Sequence, residues 1–220
     1  MLAQSIRLDR AGGARARIYQ AALRLFAENG GSEIAVSDLA DAAGIARGTI
    51  YNNIAAPENL LGEVAVALSH EMLLRTEATM QAFTDPAERM ATGARLFIRR
   101  AAEEQDWGRF LVRFSHTHAV LQEAMREPPA RDIKQAVKSG RFKIDAEKIP
   151  ALLSMLAGAT IAAMNAVIRG DQTWRDAGSH TAELLLRAGG VPPAEARRIA
   201  QRELPPLARA QHQPRKRKTS

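Results

Sequence analysis

The sequence predicts an all-α protein, and three observations support this prediction. Alanine is frequent and runs of β-branched residues are scarce, which favours helices over strands. Apolar residues recur with helical spacing along the chain, beginning with Ile18, Ala22, Leu25 and Phe26. Glycine and proline pairs separate the periodic segments, as expected where helices end.

Composition limits the class of protein. With 220 residues, 46% of them hydrophobic, the chain can bury the core of one or two domains. It contains no cysteine, which excludes disulfides and thiolate metal sites and fits a reducing cytosol. No basic start followed by an apolar run opens the sequence, so we expect no signal peptide and a cytoplasmic protein.

The positive charge is concentrated near the C-terminus. Residues 207–220 hold five basic residues and no acid, so they contribute +5 of the net charge of +7. Residues 1–56 hold six basic and five acidic residues, a balance of only +1. We expect residues 1–13 and 205–220 to be disordered. The basic tail in 205–220 either binds nucleic acid nonspecifically or is simply solvated.

The N-terminal part predicts three helices. The first spans residues 14–29 and ends at Asn29-Gly30-Gly31. Val36–Tyr51 then predicts two short helices joined by a tight turn at Gly44, a residue that tolerates positive φ. The apolar positions of these two helices are Leu39, Ala40, Ala43 and Ile50. This spacing is the helix-turn-helix pattern, at about residues 36–55 within a domain of residues 14–56.

In that pattern the second helix enters the DNA major groove. Arginine pairs with guanine and asparagine with adenine, while threonine and tyrosine hydroxyls suit phosphates. The candidate DNA-binding residues are Val36, Ser37, Arg47, Gly48, Thr49, Tyr51, Asn52 and Asn53. The alternative is a pair of surface helices with a glycine cap and no DNA contact.

Three details of this region stay open at the level of sequence. Gly48 either lets the helix approach the DNA backbone or serves local packing. Tyr51 can donate to a phosphate or cover the core of the domain, and we favour a mixture of both. Four arginines either form an arm that reaches phosphate or minor groove, or are only solvated: Arg7, Arg10, Arg15 and Arg17.

The remainder predicts a helical body over residues 57–204. Pro57 is well placed to open a long helix over residues 58–83, and Asp85 is expected to cap a helix that runs to about residue 105. Asp106 and Asp145 are expected to cap later helices. The pair Pro128-Pro129 is expected to interrupt a helix, with residues 130–139 helical again.

Two apolar helices are predicted late in the chain, over residues 149–168 and 174–188. The first has no charge, so a membrane span must be considered, but small and polar residues dilute it. We favour a helix buried on nearly all sides and expect no membrane association. The pair suggests a four-helix bundle formed with a second copy through about residues 149–188, with an internal core as the alternative.

Some side chains of the body are candidates for a ligand pocket. They are Trp107, Phe110, Phe114, His118 and Met155, together with His116 and Met164. An ordinary core position is the alternative for each of them. His116 and His118 are poor metal ligands, because i and i+2 point to different sides of a helix. We find no enzyme motif and predict no catalytic residue, metal or cofactor.

The residues from Ile18 to Leu61 resemble the TetR/AcrR family of bacterial transcriptional repressors. The similarity rests on the Ala43-Gly44-Ile45 turn followed by Gly48-Thr49-Ile50-Tyr51, with Glu58 and Leu60 after it. The resemblance implies an all-α homodimer with an N-terminal helix-turn-helix domain and a C-terminal domain for ligand binding and dimerisation. It implies a near-palindromic DNA operator and a small-molecule inducer as partners, and a repressor that the inducer releases from DNA.

The sequence departs from the family pattern in the N-terminal domain of residues 14–56, which we call the head. Ala35 stands where Ser or Thr usually caps the second helix, and Asn53-Ile54 stands in place of a His-Phe pair. Ala56-Pro57 replaces a Ser-Lys pair whose lysine normally meets a phosphate. These changes motivate a second hypothesis, in which the protein is a small-molecule sensor or protein-binding module with a vestigial head.

Overall fold

A computed structural model describes residues 13–209, and within that range the chain forms ten α-helices and no strand. The helices are α1 (Ala14–Asn29), α2 (Val36–Ala43), α3 (Arg47–Asn53), α4 (Leu60–Met80), α5 (Pro86–Glu103), α6 (Gln105–Phe114), α7 (Ala119–Lys138), α8 (Ile149–Ile168), α9 (Trp174–Ala188) and α10 (Pro193–Ala200). This confirms the predicted all-α fold class. The expectations for residues 1–12 and 210–220 lie outside the described residues.

Helices α1 to α3 form the head, and their buried residues belong to a core that continues into α4 and α6 of the body. All the apolar positions predicted for α2 and α3 are buried, together with Ile18, Tyr19 and Phe26 of α1. Gly44 ends α2 with φ 62°, and the Ile45 N–H donates to the Ala40 carbonyl over 3.1 Å. This is the hydrogen bond of a glycine-terminated helix, and it turns the chain so that α3 crosses α2.

Helix α4 links the head to the body, but it begins later than predicted. Pro57–Asn59 form a single 3₁₀ turn, and α4 starts at Leu60 and ends at Met80, three residues before the predicted end. Asp85 caps α5 as predicted, because its side chain accepts a hydrogen bond from the Ala87 N–H over 2.9 Å. Its other carboxylate oxygen accepts from Arg141 Nε at 2.8 Å, which ties this end of α5 to the turn after α7.

Two of the predicted caps are wrong. Asp106 lies inside α6, whose N-cap is Glu104, because α6 follows α5 after a single residue. Asp145 precedes a 3₁₀ turn and makes no cap hydrogen bond. Its carboxylate pairs with the Lys148 ammonium at 2.9 Å, and this ion pair lowers the pKa of Asp145.

The predicted interruption at Pro128-Pro129 is also wrong. Helix α7 runs through both prolines without a break. Leu121 is buried before the pair, and Ile133 and Ala136 are buried after it, so packing on both sides of the prolines stabilises one unbroken helix. The prolines still remove two backbone N–H donors from the middle of the helix.

The prediction that helix α8 is buried on nearly all sides is wrong. Leu152, Leu156 and Met164 are buried, but Ser154, Met155 and Gly158 are exposed on the opposite face. Within the described residues it is also the one helix long and apolar enough to cross a membrane, with 28% of the apolar window buried. Because the side chains on the exposed face of α8 are mostly small, another helix could approach it closely.

The described residues that follow α10 fold back onto the body. Leu204 is buried beside Met80 and Leu96, and Arg95 donates to the Arg202 carbonyl over 2.8 Å. Farther along, Arg75 of α4 donates to the Ala208 carbonyl over 2.7 Å. Residues 205–208 therefore lie against α4, which differs from the disorder predicted from residue 205 onward.

Candidate DNA-contacting helix and ligand cavity

Helix α3 presents one polar face to solvent and one apolar residue to the core. Ile50 is fully buried, whereas Arg47, Gly48 and Asn52 are exposed and the Tyr51 side chain is 61% exposed. Thr49 is half-buried, as are Val36 and Ser37 at the start of α2. Because Tyr51 is so exposed, it covers little of the head core. The interpretation that it meets a phosphate is the better supported of the two.

Asn53 is placed differently from the other candidates. Its side-chain amide donates to the Thr49 carbonyl over 2.8 Å, which closes the last turn of α3. One of its two N–H bonds is therefore used inside the helix. Its role as a DNA contact stays a prediction, and a weaker one than that of Asn52.

Gly48 has no packing reason within the head. A Cβ atom built at this position meets nothing within 4 Å. Glycine in a helix costs about 1 kcal/mol relative to alanine, so its presence needs another explanation. Approach of a partner molecule to the backbone of α3 is the remaining one of the two interpretations.

The arginines of α1 do not form a free arm. Arg17 donates to the carbonyls of Ala43 and Gly44 over 2.7 and 2.8 Å, and Arg24 reaches the Ala42 carbonyl at 3.3 Å. They neutralise the negative end of the α2 dipole. Arg15 lies 3.7 Å from the Glu63 carboxylate, while Arg7 and Arg10 lie outside the described residues.

Arg47 therefore differs from the other described cations of the head. It makes no hydrogen bond or ion pair within residues 13–209, and it stands at the start of α3. Its guanidinium is available to a partner, so a head with a balance of only +1 still offers a positive group on α3.

A buried contact joins the head to α4. The Tyr19 hydroxyl donates to the Glu63 carboxylate, and Tyr19 is fully buried. Burial, and then this hydrogen bond, raise the pKa of Tyr19 to about 12. Sequence reasoning missed both residues, because nothing in their local spacing shows that α1 and α4 meet.

The body encloses a cavity of about 90 Å³ between five helices, α4 to α8. Most of its surface is apolar, with four methionines and two aromatic rings among the lining residues. These are Met72, Met80, Met90, Met125, Phe97 and Trp107. Such a mixed apolar chamber in a helical bundle is a common kind of small-molecule site.

Four polar atoms of the cavity lining have no hydrogen-bond partner. They are the Trp107 indole N–H and the hydroxyls of Ser69, Thr76 and Thr160. Each of these atoms is buried, and an unsatisfied buried polar atom costs about 1–3 kcal/mol. Four of them around one chamber indicate a site built for a polar partner.

The predicted pocket residues are only partly correct. Trp107 lines the cavity, and the Arg100 guanidinium stacks on its ring at 4.4 Å from the centroid. Phe110 and Phe114 face the head instead, and Met155 is 52% exposed on α8. His118 precedes α7 and lies near Gly62 of α4, outside the cavity lining.

His116 and Met164 also lie outside the cavity, His116 being exposed and Met164 buried in the core. No cluster of three potential metal ligands occurs among residues 13–209. The cavity residues that sequence reasoning missed come from helices far apart in the chain, so no local pattern could have collected them.

Helix α6 connects the cavity to the head. Phe110 and Phe114 contact the Phe26 ring edge-on, at centroid distances of 6.2 and 6.1 Å. Arg113 donates to the carbonyls of Phe26 and Ala27, both over 3.1 Å, at the C-terminal end of α1. Trp107 lies on the same helix, about two helical turns before Phe114.

Two family models match the chain. Residues 18–53 match the model described as "Bacterial regulatory proteins, tetR family", and residues 85–202 match "Tetracyclin repressor-like, C-terminal domain". Curated protein sequences give no match.

Solved structures agree with these models. The chain is 30% identical to RolR in complex with resorcinol, over 89% of this chain and 96% of RolR, with a TM-score of 0.67. A TetR-family regulator from Shewanella sp. PV-4 is 20% identical over 80% of this chain and 98% of its own, with a TM-score of 0.68. A TetR-like regulator from Rhodococcus sp. RHA1 is 17% identical over 84% and 100%, with a TM-score of 0.68.

Proposed function

This chain belongs to the TetR family of transcriptional regulators, and from that premise we propose that it is a repressor released from its operator by a small-molecule inducer. Regulators of this family bind DNA operators and small molecules and act as dimers. For this chain we propose a near-palindromic operator, an inducer site in the body cavity and a cytoplasmic location. We propose no catalytic activity.

The observation that carries the proposal is the surface of α3. Arg47 has no partner within residues 13–209, and Gly48 leaves the backbone of α3 uncovered. An arginine that makes no internal pair can bind guanine with two hydrogen bonds. A glycine beside it lets the helix approach a phosphate backbone closely.

A homodimer through α8 and α9 accounts for the exposed apolar surface of the body. Met155 on α8 is 52% exposed and Leu184 on α9 is 62% exposed. A Cβ built at Gly158 meets no described residue within 4 Å, so a partner helix can approach there. Two heads would then lie about 34–36 Å apart, at successive major grooves of the operator.

Release requires that the inducer prefers a head spacing that DNA does not accept. Helix α4 supplies one connection, because Met72 and Thr76 line the cavity and its N-terminal turn holds the head through Glu63. Helix α6 supplies a second connection, through Arg113 at the end of α1. We propose that ligand binding shifts both helices together.

Sequence selection from a random duplex pool tests the proposal. The full chain should enrich a near-palindromic sequence, and Arg47→Ala should weaken binding to that duplex roughly 5- to 150-fold, corresponding to the loss of a base contact of about 1–3 kcal/mol. Lys216→Ala is the matched control, since a tail lysine contributes only nonspecific attraction and should change binding slightly. Equal effects of the two substitutions in a gel-shift titration would contradict the assignment of α3.

The second candidate function is a small-molecule sensor or protein-binding module with a vestigial head. It is favoured by the missing cap at Ala35 and by the 3₁₀ turn at Pro57, where the family's phosphate-binding lysine is lost. It predicts no enrichment of any duplex sequence at any salt concentration. The selection experiment therefore separates the two functions.

A further inference from the structure

The lining of the cavity defines the chemistry of its ligand. We propose that it binds an uncharged, single-ring aromatic compound that carries hydroxyl groups, in preference to an aromatic carboxylate. This inference rests on the proposed function, whose ligand it specifies.

Size and lining favour one aromatic ring. The cavity measures about 90 Å³, which suits a single ring better than a fused system or a long acyl chain. Methionine thioethers from α4, α5 and α7 line the cavity. The rings of Phe97 and Trp107 also line it, with their centroids 5.7 Å apart. Methionine sulfur and aromatic edges both interact favourably with a ring.

The charged residues at the cavity favour an uncharged ligand. Arg89 is the only cation among the lining residues, and its guanidinium already contacts Asp132 at 3.0 Å and Glu77 at 3.6 Å. It also donates to the Met80 carbonyl over 2.9 Å. Arg131 pairs with Glu77 from outside the lining. A ligand carboxylate would lose its water here without gaining an unpaired cation.

The unpaired atoms of the cavity favour hydroxyl groups. The Trp107 N–H needs an acceptor, and the hydroxyls of Ser69, Thr76 and Thr160 can donate or accept. Pro128 and Pro129 lack an N–H, so the carbonyls of Ala124 and Met125 lose their usual helical donor. Ala124 and Met125 also line the cavity.

Together these atoms favour a ligand that both donates and accepts hydrogen bonds. A phenolic hydroxyl does both, whereas a carboxylate only accepts. Two hydroxyls on one ring would reach partners on more than one of the surrounding helices, since Ser69 and Thr76 lie on α4, Trp107 on α6 and Thr160 on α8. Such bridging would fix the spacing of α4, α6 and α8.

Calorimetric titration of the full-length protein without DNA tests the ligand class, with resorcinol and benzoate as probes of similar size. The chain has two tryptophans, so Trp174→Phe leaves Trp107 as the only tryptophan, and its emission, excited at a wavelength that tyrosine does not absorb, reports occupancy of the cavity. We expect resorcinol to bind once per protomer and to change Trp107 emission, with benzoate at least tenfold weaker. Equal or tighter binding of benzoate, or no binding of either probe at millimolar concentration, would overturn the inference.

Substitutions then assign the hydrogen bonds. Thr160→Val keeps the shape of the side chain but removes the hydroxyl, and Trp107→Phe removes the N–H, so each should weaken resorcinol binding about tenfold. Thr84→Val, at an exposed position between α4 and α5 and outside the cavity lining, is the matched control and should bind like the parent protein. Unchanged binding in both cavity variants would also overturn the inference. Because no titration contains DNA, failure here leaves the test of operator binding intact.

Discussion

The α3 surface and the body cavity both hold unpaired polar groups, but they hold them in different surroundings. Arg47 and Asn52 are exposed, so water satisfies their hydrogen-bonding groups. Trp107 and Thr160 are 2% and 4% exposed, and their polar atoms have no partner. The exposed groups of α3 cost the unbound protein little, whereas the unpaired groups of the cavity lower the stability of the ligand-free body.

The two regions therefore differ in how strongly their candidate binding groups affect the stability of the fold. On α3, binding groups can be added or removed with little effect on folding. In the cavity, the groups that would recognise a ligand also destabilise the empty protein. The two regions are joined by the contact between Phe114 of α6 and Phe26 of α1.

The largest effect is expected at Phe114, which packs against Phe26 between α6 and α1. Phe114→Ala should lower the free energy of unfolding by about 3–5 kcal/mol, because it leaves a hole in the core shared by head and body. Thermal denaturation followed by circular dichroism measures this loss. Leu74→Ala, at an exposed apolar position of α4, is the control and should lose little stability, because this side chain is already in water. A loss below about 1 kcal/mol at Phe114 would mean that the head and body do not share a core.

Tyr19 supplies a buried polar group that does have a partner. Its pKa of about 12 lies above the usual value of 10, so the folded state retains a proton that the unfolded state loses between these values. The stabilisation is therefore fully present below pH 10 and is lost as the pH rises to 12, by on the order of 2 kcal/mol.

Tyr19→Phe removes this titration. The stability of the parent protein relative to Tyr19→Phe should fall between pH 10 and 12 and stay constant below pH 9, as measured by urea unfolding at each pH. A constant difference across the whole range would show that the hydroxyl of Tyr19 is not held as described.

Thr160 tests the cost of an unpaired buried group. In the absence of ligand, Thr160→Val should raise the free energy of unfolding by about 1–3 kcal/mol, because it removes a hydroxyl without a partner. Asn52→Ala on the surface of α3 should change stability by no more than about 0.5 kcal/mol. If Thr160→Val destabilises the ligand-free protein, the hydroxyl has a partner and the contrast between the two regions fails.

Substitutions at two glycines of the head separate an effect on DNA binding from an effect on stability. Gly48→Ala should stabilise the head by about 0.5–1 kcal/mol, because alanine favours helix and its Cβ meets nothing. It should at the same time weaken binding to the selected duplex. Gly44→Ala should destabilise the head, since φ is 62° there and the new Cβ would lie 2.9 Å from the Arg17 guanidinium.

Differential scanning calorimetry and a gel-shift titration on both glycine variants check the pair. Stabilisation at Gly48 with unchanged DNA binding would remove the argument that this residue makes room for DNA.

Local patterns were enough to predict most of the fold. The bounds of α1 and α9 agree with the sequence, and so does the turn at Gly44, because each depends on neighbouring residues. The continuous α7 could not be predicted, since the packing of Leu121 and Ile133 outweighs the local effect of two prolines. The open face of α8 was missed because hydrophobicity alone does not show whether a side chain is covered by its own chain.

The two regions also differ in how far their residues could be predicted. The exposed positions of α3 follow from helical spacing, although their DNA contacts remain a prediction. The cavity brings together residues from α4 to α8, and Trp107 is the one predicted pocket residue among them. Likewise, the pairing of Arg17 with the end of α2 depends on a contact between helices, so its role as a structural cap was not foreseen.

The coupling between cavity and α3 is tested most directly by one titration. Resorcinol is added to Trp174→Phe protein bound to a fluorescently labelled duplex obtained by selection, while DNA anisotropy and Trp107 emission are recorded together. The account predicts that DNA dissociates in proportion to occupancy of the cavity. Saturation of Trp107 emission with the DNA still bound would contradict it.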